Sequence, residues 1–207
     1  MKRLGIILLM LCSAACGHVA ESLQTGDLVF VSEGADNAPD AGSMSGAIVS
    51  ATGNITHVAI LEVDDDGTAW VIDATPKRGV ARSPLSSLIK DNPGASFTVK
   101  RLRDTSGVSR FVENAKAFIG RPYDLTFLPD NDAMYCSELI RESFRLPDGT
   151  CLFEETPMNF LAPDGTVPLY WKQLFEDLGM EVPQGVPGTN PQQMSQSPLL
   201  VEVGTGL

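Results

Sequence analysis

The 207-residue sequence predicts one α+β domain. Three observations carry that expectation. Strand-like runs crowd the first half, at 26–31 (GDLVFV), 56–63 (THVAILEV), 69–74 (AWVIDA) and 97–102 (FTVKRL). Runs with helical spacing follow, at 108–119, from Cys136 to Phe144, and at 170–178. Hydrophobic residues make up 43% and charged residues 20%, an ordinary composition for a packed interior, and no linker divides the chain.

The N-terminus differs in kind from the rest. Lys2 and Arg3 precede an apolar run at 4–11 and the small residues Ser13, Ala14 and Ala15, which end at Cys16. Residues 1–15 therefore read as an export signal, far shorter than the ~20 apolar residues of a membrane span. Ser13-Ala14-Ala15-Cys16 resembles a bacterial lipobox, with Ser13 where Leu is usual, and implies lipidation of Cys16. Residues 16–22 would be a tether, 23–183 the folded domain, and 184–207, rich in Pro, Gly, Gln and Ser, an irregular tail.

Charge narrows the function classes. Removing 1–15 takes away Lys2 and Arg3 and no acid, which moves the formal charge from -11 to -13. Such a surface repels nucleic-acid phosphates and anionic lipids, so no nucleic-acid partner is expected, and a membrane only through Cys16. Cys12 lies in the signal and Cys16 at its end, so Cys136 and Cys151 alone remain in the body, and no disulfide framework is indicated. The acidic turn Asp64-Asp65-Asp66-Gly67 reads as a hairpin connection, because a calcium loop needs ligands at wider, regular spacing. A turn and a short helix carrying Met44, Ile48 and Val49 are expected at 36–50.

Two residues stand out chemically. His18 lies in the tether, so a histidine-dependent mechanism must use His57, on the strand pattern Thr56-His57-Val58-Ala59-Ile60. Alternation puts His57 with Ala59 and Leu61 on one face of that strand. Cys136 begins a helical run whose inward face is Cys136, Leu139, Ile140 and Phe144. The positive end of a helix and a neighbouring imidazole both favour a thiolate, the reactive form of cysteine. Taken singly, a lone strand His and a lone buried Cys are both more simply structural residues.

Four segments in order resemble one family: Gly26-Asp27-Leu28-Val29-Phe30, Thr56-His57-Val58-Ala59-Ile60, Gly120-Arg121-Pro122-Tyr123-Asp124 and Tyr135-Cys136-Ser137-Glu138-Leu139. They are similar to the successive motifs of the permuted papain-like, NlpC-type cysteine hydrolases, the YiiX/YebB-like branch, over about residues 23–183. In that branch the His-bearing strand precedes the Cys helix, the order found here. The resemblance implies a circularly permuted papain-like fold, a small antiparallel sheet or half-barrel packed against helices. It also implies Cys136 as nucleophile, His57 as its base, and an acid on the next strand, here Asp73, to orient the imidazole. The usual acid is Glu, one methylene longer. The Cys136 N–H would help stabilise the oxyanion, aided by Tyr123 or Tyr135. Glu138 lies in the first helical turn, where the dipole favours an acid as a cap; the sharper alternative is binding of a substrate amine.

The expected activity is hydrolysis of an amide in a cell-envelope peptide or an N-acyl amino acid, by an exported monomer with no metal or cofactor. Two rivals stay open at this point. An acyltransferase or thioesterase of the lecithin-retinol type shares the order of His and Cys but typically carries two histidines. A non-catalytic envelope-binding lipoprotein would have no need to keep both Cys136 and His57. The serine-elbow likeness at Gly42-Ser43-Met44-Ser45-Gly46 fails because Met occupies the central position.

Overall fold

The structure, a computed structural model, describes residues 23–34, 39–40, 42–205 and 207. The signal at 1–15, the tether with His18, Cys16, and the start of the turn at 36–38 lie outside the described residues. In chain order the elements are β1 (Leu28–Ser32), α1 (Met44–Thr52), β2 (Ile55–Val63), β3 (Ala69–Thr75), β4 (Gly79–Pro84), α2 (Leu85–Asp91), β5 (Ser96–Leu102), α3 (Val108–Ala117), α4 (Cys136–Ser143), β6 (Thr156–Pro157), α5 (Leu169–Asp177), β7 (Pro187–Gly188), α6 (Pro191–Ser195) and β8 (Leu200–Thr205).

Six strands form one sheet in the order β4-β3-β2-β1-β5-β8, every neighbouring pair antiparallel. Strand β1 is central and buried on both faces, which is why its sequence reads as an unbroken apolar run rather than an alternation. Leu28 and Phe30 point to the side covered by α3 and α4, where they join Val58, Ile60, Ile72, Phe111, Leu139, Ile140 and Phe144. Val29 and Val31 point the other way and meet Ala59, Leu61, Val71 and the Leu85 and Leu88 of α2. Burial of each such side chain stabilises the fold by about 1.5–3 kcal/mol.

Asp27 is fully buried at the mouth of β1, where the Arg101 guanidinium grips it at 2.7 and 2.9 Å. The acidic turn between β2 and β3 is a hairpin whose carboxylates serve the turn itself: Asp64 and Asp66 accept from Thr68 N, and Asp64 also from Trp70 Nε1. Ser43 caps α1 by accepting from Gly46 N, which gives the serine of the elbow-like segment a structural task.

Two stretches differ from expectation. Strand β4 and helix α2 were not foreseen; the segment 79–84 (GVARSP) has neither clear alternation nor a continuous apolar run, and it forms a strand because it completes the β3 edge over six register pairs. The segment 184–207 is not an irregular tail. It carries α6 and β8, and β8 pairs with β5 from Thr98↔Thr205 to Leu102↔Leu200. Its Pro and Gln residues mark the start of α6, where Pro191 occupies the first turn and Asn190 caps it, rather than disorder.

Candidate active site

His57 and Asp73 reach each other through the β2–β3 ladder. The pairs Ile60↔Ile72 and Leu61↔Val71, continued one step, set Ala59 opposite Asp73, so Asp73 and His57 are diagonal neighbours on one face. Nε2 of His57 lies 2.9 Å from Oδ2 of Asp73. The β1–β2 register shifts between Val31 and Ser32, opposite 55–57, an irregularity of the kind that re-aims side chains at sheet ends. Asp73 is fully buried, whereas the His57 side chain keeps 16% exposure.

Cys136 is the first residue of α4, which packs on β2 and β3. Burial alone would favour a neutral His57, but hydrogen bonding to Asp73 and to Cys136, with the Coulombic pull of both, outweighs it and raises the imidazole to about 10. With Nε2 committed to Asp73, Nδ1 is the ring nitrogen left for the thiol. Asp73 and Cys136 together favour the charged imidazole. Both Cys136 and Cys151 are free thiols.

Tyr123 lines two neighbouring hollows. One is a cleft of about 440 Å³ whose walls include His57, Asp73, Thr75, Lys77, Arg78 and Asn92. The other is a narrow apolar slot of about 40 Å³ beside Cys136, walled by Phe127, Met158, Phe160 and Trp171. Ile48, Thr56 and Tyr123 line both. The Tyr123 hydroxyl has no hydrogen-bond partner among the described residues, and burial followed by the nearby Cys136 charge pushes its ionisation well above the ordinary value, so it remains a neutral O–H donor. Phe127 holds a left-handed φ of 55° within a cage formed by Tyr123, Tyr135, Phe160 and Trp171.

The other two sequence candidates have different surroundings. Tyr135 precedes α4, and its hydroxyl accepts from Thr189 N at 3.0 Å at the back of the slot. Glu138 accepts from Tyr135 N at 3.3 Å, as a cap does, and faces a separate polar cavity with Arg141, Glu142 and Arg145. The structure does not bring it to the His57 cleft. Burial, reinforced by repulsion from Asp124 and Glu142, raises the Glu138 carboxyl to about 8 despite the Tyr135 hydrogen bond.

Sequence reasoning missed two neighbours. Arg78 reaches toward the oxygen of Asp73 that His57 does not use, Nη2 to Oδ1 at 3.7 Å, and is anchored by Asp91 at 2.8 Å. The signal was a Pro76-Lys77-Arg78-Gly79 turn directly after the Asp73 strand. Thr189 donates Oγ1 to the buried Ser137 hydroxyl at 3.0 Å, on the helix that begins with Cys136. Nothing in the local sequence pointed there, since the partners are 52 residues apart.

A cysteine and histidine so joined, in the order strand then helix, can be compared with known proteins. The sequence profile of the permuted papain-like amidase enzymes of the YaeF/YiiX, C92 family matches residues 22–204. The chain belongs to that family. It is 26% identical to the protein YiiX of Escherichia coli K12 over 207 residues, covering 98% of this chain and 96% of that one. Among solved structures it resembles the metalloprotein YiiX of Escherichia coli O157:H7, with a TM-score of 0.71 and 25% identity, over 89% of this chain and 98% of that one. The family is one of cysteine peptidases and amidases, and the α+β fold is its circularly permuted papain-like one. The word metalloprotein describes that neighbour; in this chain no three His, Cys, Asp or Glu side chains among the described residues are grouped as a metal site requires. The His57 nitrogen nearest an acid is taken up by Asp73. Among the described residues, no helix is long and apolar enough to cross a membrane.

Proposed function

We propose that this protein is an exported cysteine amidase that opens an amide of a cell-envelope peptide or N-acyl amino acid through a thioester on Cys136. The observation that carries this reading is the His57 imidazole shared between Asp73 and Cys136. The Cys136 thiolate attacks the carbonyl carbon, forming a C–S bond and moving an electron pair onto the carbonyl oxygen. That oxyanion meets the Cys136 N–H, in the helical turn whose amides have no intrahelical partner, and the Tyr123 hydroxyl. The intermediate collapses, the C–N bond breaks, and the His57 imidazolium gives its proton to the departing amine. Water then attacks the thioester while neutral His57 takes its proton, and the acid leaves with the thiolate restored. Asp73 keeps the imidazole oriented and supports its charge throughout.

Export and a lipid anchor at Cys16 are part of the proposal, supported by Lys2, Arg3, the apolar run and the lipobox-like segment. Iodoacetamide labelling with peptide mapping tests the chemistry. Cys136 should react far faster than Cys151 near neutral pH despite its deeper burial, and His57→Ala should abolish the difference. Equal, slow labelling of both thiols would contradict an activated nucleophile. Incubation with peptidoglycan fragments and N-acyl amino acids, read by mass spectrometry, then separates the two substrate classes.

A further inference from the structure

The slot lined by Cys136 and the cleft lined by His57 are chemically unlike, and the direction of proton transfer says which half of a substrate enters each. His57 must hand its proton to the departing nitrogen, so the amine half lies on the His57 side, in the 440 Å³ cleft. The acyl half is then left to the aromatic slot of Phe127, Met158, Phe160 and Trp171.

The wall of the amine side is locally cationic in a chain whose net charge is negative. Against a formal net charge of -11, the cleft wall offers Lys77 and Arg78 opposite a single carboxylate, Asp91, outside the His57–Asp73 couple. Asp91 is held below the usual carboxylate range by its Arg78 hydrogen bond first, then by the Arg78, Lys77 and Lys90 charges. Three cations therefore converge on one acid. Lys77 has no ion-pair partner among the described residues and is exposed to the cleft.

Arg78 is placed rather than loose. The next residue, Gly79, has φ +64°, and a Cβ there would sit 2.2 Å from the Arg121 carbonyl oxygen, so the turn is pinned to the segment leading to Tyr123. Yet its donors are underused: Nη1 serves Asp91, Nη2 stands 3.7 Å from Asp73, and the buried Nε has no hydrogen-bond partner. A guanidinium fixed at one end with spare donors in a fork, beside a free ammonium, suits a planar anion.

We propose that Lys77 and Arg78 form a subsite for a carboxylate carried on the amine half of the substrate, close to the scissile nitrogen. This rests on the amidase reading above for the assignment of the two halves. A free amino acid and the last residue of a peptide present the same chemistry, at different distances from the amide. Peptide amides whose amine half is neutral or cationic are the poorer substrates.

Binding to the Cys136→Ala protein tests this without requiring turnover. Calorimetry would compare N-hexanoylglycine, N-hexanoylglycinamide and N-hexanoylglycylglycine. The carboxylate ligands should bind about tenfold or more tightly than the carboxamide, the size expected of charge-assisted hydrogen bonds. The better of the two carboxylates identifies free amino acid or peptide end. Lys77→Gln and Arg78→Gln, each in that background, should remove most of the preference while leaving carboxamide affinity unchanged, which also reports an intact fold. If Arg78→Gln weakens all ligands alike, the exposed Lys77 variant decides. Equal affinity for carboxylate and carboxamide, binding of none of the three, or a preference untouched by Lys77→Gln overturns the subsite. A clear preference with no cleavage by the native protein would instead sink the amidase reading and leave the subsite standing as a binding site.

Discussion

Replacing Asp73 with Asn tests the electrostatics on which the site depends. A rise in the His57 pKa from 6.5 to about 10 means that the folded protein holds this proton on the order of 5 kcal/mol more tightly than a free imidazole does. Asp73 and Cys136 supply that hold against the cost of burial, with the Asp73 carboxylate at 2.9 Å. An opposite charge at this range moves a pKa by about 1–3, so Asp73→Asn should lower the His57 titration by at least about one pH unit. Nuclear magnetic resonance of the imidazole reads this directly, because His18 is the sole other histidine and lies in the segment before the domain. The same shift fixes the sign of the stability effect. Below pH 6.5 the imidazole is charged in both folded and unfolded chains and the stabilisation is fully present; it is lost as pH rises through about 10. The native protein should therefore melt lower as pH rises toward 10, and Asp73→Asn should flatten that slope, having already forfeited on the order of a few kcal/mol of the effect. A native His57 titrating near 6.5, or an unchanged titration in Asp73→Asn, would refute the shared imidazolium.

Three further outcomes are expected. Above pH 10 amide cleavage should fall as the imidazolium loses the proton it must donate, while alkylation of Cys136 continues; parallel loss of both, read side by side, would remove His57 from leaving-group protonation. Cys136→Ala should abolish turnover and lower the His57 titration while the protein still melts cooperatively; retained turnover would exclude the nucleophile. Gly79→Ala should destabilise by more than ~2 kcal/mol in denaturant melts, because the methyl group meets the Arg121 backbone in a left-handed conformation, and a neutral substitution would mean that the turn is not pinned.

What the sequence disclosed followed from local pattern. The strands β2, β3 and β5 and the helices α3, α4 and α5 were legible because each has an apolar face with a period, and β1 because it is an unbroken apolar run. His57 stood out by elimination, whereas the roles expected of Cys136, His57 and Asp73 came from the order of motifs that the chain shares with the family. Arg78 was not, because a turn residue acquires its meaning only when the β3–β4 hairpin folds it back over the Asp73 strand. Glu138 could be read either way from its position in the helix; what separates a cap from a ligand contact is the direction of the side chain, toward Tyr135 N and away from the cleft.

The C-terminal segment shows why polar composition misled. Residues 184–207 contain few of the apolar periods that announce a core element, yet Met194 and Leu200 are buried in the main core and β8 closes the sheet. The segment also reaches the start of the Cys136 helix. Gly188 passes so close that a Cβ would lie 2.7 Å from Met158 and 2.9 Å from the Tyr135 hydroxyl, and Thr189 behind it engages both Tyr135 and Ser137. Asn190 and Pro191 continue as wall of the slot beside Cys136. In a chain where the histidine strand comes first and the cysteine helix later, the last part of the chain braces the start of that helix from behind. Low hydrophobicity here reflects hydrogen bonds to buried hydroxyls rather than an absence of structure.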